Sequence, residues 1–124
     1  MACAMAAMLA AGCGTAGRSA AATQPSWLHA TLSFAPTPPV ARQYETVELR
    51  LTDASGKPLE GARLAWNADM IGMDHPAPAG LVEGPDGTYS GRTLFVMGGA
   101  WLAKVQVTAG GHAATLSFPF EVRD

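Results

Sequence analysis

The stretch Tyr44–Thr52 alternates Val47, Leu49 and Leu51 with Thr46, Glu48 and Arg50. A side-chain period of two puts the three aliphatic residues on one face of an extended strand and the polar ones on the other, the pattern of a sheet packed on one side. The same period recurs along the chain. Leu28, Ala30, Leu32 and Phe34 share a face in residues 27–34, and Pro36, Pro38 and Pro39 end that segment. Ala62, Leu64 and Trp66 share a face after the turn residues at 53–58. Trp101, Ala103, Val105 and Val107 alternate with Lys104, Gln106 and Thr108, and Gly110-Gly111 turns the chain. Leu116, Phe118, Phe120 and Val122 line the last segment, with Pro119 on its outward-pointing set, as suits an edge strand. Gly84-Pro85-Asp86-Gly87, between residues 81–83 and 88–92, predicts an antiparallel hairpin. No segment keeps a helical period for three turns, and residues 67–80 read as irregular. About seven short strands separated by turns predict an all-β, antiparallel immunoglobulin-like β-sandwich, with a small open barrel as the alternative that periodicity leaves open. Trp66 and Trp101 are expected to fill the space between the sheets.

A chain of 124 residues is long enough for one domain with a core and too short for two. Both cysteines, Cys3 and Cys13, stand near the N-terminus, so the predicted sandwich has no thiol for a disulfide, a thiolate metal site or a nucleophile. Residues 2–11 form an uncharged apolar run of signal-peptide length, followed by Gly12 and Cys13. Leu9-Ala10-Ala11-Gly12-Cys13 resembles the bacterial lipobox, although Ala10 stands where that motif usually has Leu. The resemblance implies cleavage before Cys13 and lipid on its sulfur, the alternatives being a plain secretory signal cut elsewhere or a short alanine-rich helix of a cytosolic protein. The organisation read from these features is a lipoprotein signal peptide at 1–12, a lipidated Cys13 with a flexible tether at 13–26, and a sandwich domain at 27–124. The expected location is the bacterial cell envelope, with the domain facing the periplasm or the exterior.

Eight basic against ten acidic residues give a net charge of -2, and the basic ones are scattered, which argues against a nucleic-acid surface. Catalytic templates are missing as well. There is no GxSxG elbow, HExxH pair, CxxC pair, phosphate loop or dinucleotide fingerprint. His29, on the outer face of a strand, and His112, beside a glycine turn, read as surface residues. An enzyme is not expected.

The segment Asp69-Met70-Ile71-Gly72-Met73-Asp74-His75-Pro76 differs in chemistry. A thioether is a soft, uncharged donor that cannot displace water from hard ions but suits Cu(I), and imidazole binds copper in either oxidation state. Of six methionines, Met1, Met5 and Met8 fall in the predicted signal, and the remaining three, Met70, Met73 and Met97, occupy this segment and the one before Gly98-Gly99. Met70, Met73, His75 and Met97 are therefore the candidate copper ligands, provided that both segments reach the same edge of the sandwich. The competing reading is that adaptable methionines merely plug an open end of the core. Asp69 and Asp74 flank the cluster, as solvated loop carboxylates often do. A metal-free module that docks on a membrane complex is the alternative function.

Four elements in order also resemble the YtkA-like domain family, which is similar to FixH-type accessory proteins. They are Asp53-x-x-Gly56-x-Pro58-x-x-Gly61-Ala62, Met70-x-x-Met73-x-His75, Gly87-x-Tyr89-x-Gly91, and Phe95-x-Met97-x-Gly99-x-Trp101-x-x-x-Val105. The resemblance implies an immunoglobulin-like sandwich in exported or membrane-tethered bacterial proteins associated with copper handling or respiratory-oxidase maturation. It assigns the candidate metal role to Met70, Met73, His75 and Met97, and a structural role to Tyr89, Gly99 and Trp101. If Cys13 carries the anchor, Cys13→Ser moves the protein from the membrane to the soluble fraction on cell fractionation; continued membrane attachment would count against lipidation.

Overall fold

Strands form wherever the alternation places apolar residues on one side. The computed structural model describes residues 18–20 and 24–124; the expected signal and Cys13 lie outside the described residues, as does part of the expected tether. The strands are β1 (Arg18–Ala20), β2 (His29–Ala35), β3 (Tyr44–Thr52), β4 (Arg63–Met70), β5 (Val82–Glu83), β6 (Thr88–Leu94), β7 (Gly99–Ala109) and β8 (His112–Val122). They build one sheet in the order β1-β2-β3-β6-β5 and a second in the order β4-β7-β8, with every strand pair antiparallel. Without β1, this is the strand arrangement of a seven-stranded immunoglobulin-like sandwich. The sheets do not close on one another, which rules out the barrel.

Along most of the inward faces the register places apolar residues opposite apolar residues. Leu32 faces Leu49 and Phe34 faces Val47 across β2 and β3. Ala68 faces Ala103 and Met70 faces Trp101 across β4 and β7, while Val105 faces Leu116 and Ala103 faces Phe118 across β7 and β8. Shifting any strand by one residue would turn its apolar set outward, so burial itself selects the register. Leu28, Val47, Leu49, Leu51, Phe95, Trp101, Val105, Leu116 and Phe118 are fully buried between the sheets.

Three expectations need correcting. Residues 67–80 are not irregular from their start, because β4 runs on to Met70. The inward series of Leu64 and Trp66 continues to the buried Ala68, and pairing with β7 carries the strand further. Trp66 is not a central filler. It is half-buried, and its indole Nε1 donates to the Ala77 carbonyl at 2.8 Å, so it holds the loop that follows β4. Phe95 and Tyr89 fill the space instead. Finally, the expected tether is structured in part, since Arg18–Ala20 pairs with β2 and the Gln24 side chain accepts from the Ala30 amide at 2.7 Å.

Two contacts bring the loops onto the sheets. The Gly80 carbonyl lies where a Cβ on the inward-facing Gly91 would be, only 2.5 Å from the ideal position, so the chain entering β5 uses space that any larger residue would fill. Tyr89 is buried, and its hydroxyl donates to the Leu59 carbonyl at 2.8 Å and accepts from the Ala62 amide at 3.1 Å, pinning the connection between β3 and β4.

Burial, the largest influence, raises the Tyr89 pKa above its ordinary 10.0, because the folded state favours the neutral phenol. The resulting stability is fully present below the unfolded value and is lost as pH rises through the folded one. Tyr89→Phe leaves the half-buried Leu59 carbonyl and Ala62 amide without this partner and is expected to lower stability by roughly 1–2 kcal/mol near neutral pH. Denaturant titrations across alkaline pH should show a shallower loss in Tyr89→Phe than in the parent; equal slopes would mean that Tyr89 does not carry the effect.

Candidate functional site

One end of the sandwich collects the candidate ligands. β6 ends at Leu94, and residues 95–98 lead directly into β7 at Gly99, while Met70 at the end of β4 pairs with Trp101 just inside β7. Tyr44 opens β3 opposite Leu94 at the same end. This end is the methionine pole. The opposite pole carries residues 53–62, the turn at 84–87 and Gly110-Gly111.

Met70 is half-buried on the inward face of β4. Its Cε lies 3.0 Å from where a Cβ on Gly99 would be, so the thioether arm rests against the chain two residues beyond Met97. The Ile71 amide extends the β4–β7 ladder by donating to the Ala100 carbonyl at 2.9 Å. The chain then turns through Gly72, at φ 83°, and the Met73 amide donates back to the Met70 carbonyl at 3.2 Å. Met73 stands 50% exposed at the tip. His75 follows, half-buried, and Ala77 is buried and bound to β4 through its amide on the Ala68 carbonyl at 2.9 Å.

Met97 rides on a loop held from both sides. The buried Trp101 donates its indole N–H to the Met97 carbonyl at 3.1 Å. A Cβ on Gly98 would approach the backbone of Val122 and Asp124 to 3.0 Å, so this loop sits tightly on the end of β8. Met97 is 37% exposed. The fold thus brings Met70 against the Met97–Gly99 segment and sets Met73 one turn away, with His75 two residues further along the same loop. Among the described residues, no three His, Cys, Asp or Glu side chains gather to hold a metal. The thioethers at this pole are soft donors that suit Cu(I) better than hard divalent ions.

Glu45 and Thr93 belong to the same pole and carry no recognisable motif. Glu45 is fully buried on the inward face of β3, and Thr93 is buried directly across from it on β6. The Val40 amide donates to Glu45 Oε2 at 2.9 Å, which closes residues 36–43 over the end of the sheet. Among the described residues, Glu45 Oε1 and Thr93 Oγ1 have no hydrogen-bond partner. Parity in β3 was the available signal, since Glu45 precedes Val47 by two positions on its apolar face.

The sequence matches no family profile and no curated protein. Among solved structures, the fold is similar to a DUF4426 family protein from Pseudomonas aeruginosa PAO1, at 20% identity and a TM-score of 0.62, covering 86% of this chain and 95% of that one. It is also similar to the Lin-41 filamin domain, at 11% identity and a TM-score of 0.50, covering 74% of this chain and 91% of the other. At these identities the likeness is one of fold, an immunoglobulin-like sandwich.

Gly99 has φ 135°, a conformation that side chains rarely adopt, whereas the Met70 methyl beside it is the end of a flexible arm. Gly99→Ala is expected to cost roughly 1–3 kcal/mol through the backbone. Met70→Ala should not rescue it in thermal or chemical denaturation of the double variant; full rescue would show that side-chain crowding, rather than backbone conformation, sets the cost.

Proposed function

We propose that this protein is a non-enzymatic lipoprotein of the bacterial cell envelope, anchored through Cys13, whose sandwich binds copper at the methionine pole in copper handling or respiratory-oxidase maturation. The observation that carries the metal reading is the packing of Met70 against Gly99, beside Met97. Two methionine segments far apart in the chain thereby meet at one end of the fold. In the mature chain all the methionines would stand at this pole, whereas core filling has no reason to confine them there.

Copper(I) would be held by Met70, Met73 and Met97, with His75 as the imidazole donor. Bound there, the ion would be available for transfer. The protein's own part is to hold the donors in place: Trp101 fixes the Met97 carbonyl, Ala77 ties the His75 loop to β4, and Gly99 leaves room for the Met70 arm.

A metal-free module that docks on a membrane complex is the second reading. It draws support from the exposure of Ile71, Met73, Val96 and Met97 at this same pole.

Titration with Cu(I) under reducing conditions tests the first reading. The parent is expected to bind one equivalent, and Met70→Ala/Met73→Ala to bind at least roughly tenfold more weakly, a difference of about 1.4 kcal/mol or more. Equal weak uptake by both proteins would remove copper and leave the docking module.

A further inference from the structure

Large apolar side chains are exposed mainly at one end of this molecule. Among the described residues these are Tyr44, Ile71, Met73, Val96, Met97 and Val82, and all but Val82 stand at the methionine pole. Tyr44 and Ile71 are 63% and 59% exposed. The opposite pole presents the exposed Ser55, Lys57 and Glu60, with Asp53 half-buried beside them. Such an asymmetry marks a surface that is covered in use.

The direction of the chain indicates what covers it. β1 runs antiparallel to β2, with Arg18 opposite Ser33 and Ala20 opposite Thr31. β2 reaches the methionine pole at Ala35, so the chain enters β1 from that side. Cys13 is five positions before Arg18, a reach of at most about 18 Å when fully extended. A reversal toward the opposite pole would consume about four residues in a turn and leave too little chain to arrive there. An acyl group on Cys13 would therefore enter the bilayer beside the exposed apolar residues.

The chemistry of the pole agrees with a lipid interface. Tyr44 is amphipathic, and the Arg92 guanidinium lies 4.7 Å from its ring centroid, a pairing that suits the headgroup level. Asp124 is paired with Arg42 at 2.8 Å. The other ionic residues near this end are Arg92 and Arg123 against Asp69, Asp74, Glu121 and the buried Glu45, so apolar contact rather than charge would hold the pole to the bilayer.

We propose that the methionine pole lies against the lipid bilayer, with Tyr44, Ile71, Met73, Val96 and Met97 at the boundary between headgroups and acyl chains. This rests on the lipid anchor at Cys13. The domain then sits on the membrane instead of being held away from it, and any copper at the pole is exchanged with a membrane-embedded partner.

The test uses the full, processed chain reconstituted in phosphatidylethanolamine–phosphatidylglycerol vesicles. A bimane is placed at Met73→Cys, at Val96→Cys as a second variant on the neighbouring loop, and at Ser55→Cys on the opposite pole. Nitroxide-labelled lipid should quench the first two severalfold more than the third. Equal quenching at both poles, in protein that remains vesicle-bound and acylated on Cys13, would overturn the docking and leave the anchor standing. Oxidative disulfide-linked dimers of the unlabelled Met73→Cys variant, with no lipid quenching in the labelled one, would identify a second copy as the occupant and also overturn it. Failure of Cys13 to incorporate a fatty-acid label would overturn the anchor and this orientation with it.

Discussion

Four aromatic rings at the methionine pole join the two sheets. Phe34 comes from β2 in one sheet, and Trp101 and Phe120 come from β7 and β8 in the other. Phe95, on the connection between the sheets, meets all three, with centroid separations of 5.8 Å to Phe34, 4.9 Å to Trp101 and 5.3 Å to Phe120. Phe34 and Phe120 close the group at 4.8 Å. The described domain contains no cysteine, so this contact does what a disulfide between sheets does in other sandwiches. Tilted and edge-on pairs of this kind contribute about 0.5–1.5 kcal/mol each beyond the burial of their area.

The candidate site inherits its rigidity from that cluster. Trp101 is both a ring in the cluster and the donor to the Met97 carbonyl, so the loop carrying Met97 is fixed by the core itself. Met70 faces Trp101 across β4 and β7 and leans on Gly99. Met73 and His75 depend on the core less directly, through the ladder bond of Ile71 and the burial of Ala77. Two methionines are thus placed by the core and two donors by a loop tied to it.

The same pole combines features that are usually kept apart. A buried carboxylate, Glu45, holds residues 36–43 through the Val40 amide, while a few residues away Ile71, Met73, Val96 and Met97 face outward. A buried acid with one unpartnered oxygen opposes stability, and exposed aliphatic and thioether groups oppose solubility. The remaining edges are protected in ordinary ways. Residues 71–80 run beside β4, Pro119 interrupts β8 on its outward side, and Val40 bridges to Arg123 beyond the end of β8.

Alternation along the chain was enough to identify seven of the strands, their inward faces and the hairpin at 84–87, because period two is a local property of extended backbone, but it ended β4 too early and missed Arg18–Ala20. The same parity contained Glu45, which went unremarked because a charged residue on an apolar face looks like the end of a strand. The sequence alone also singled out Met70, Met73, His75 and Met97 by donor chemistry. Parity says which side of a strand a residue occupies, but not which strand lies next to it or which loops share an end. Those were decided by pairing between distant segments: β4 with β7, which put Met70 beside Gly99; Arg18–Ala20 with β2, which sets where the chain from Cys13 arrives; and Phe95 between the sheets. Such contacts form only when the whole core closes, since each gains its energy from burial against residues that no local window contains.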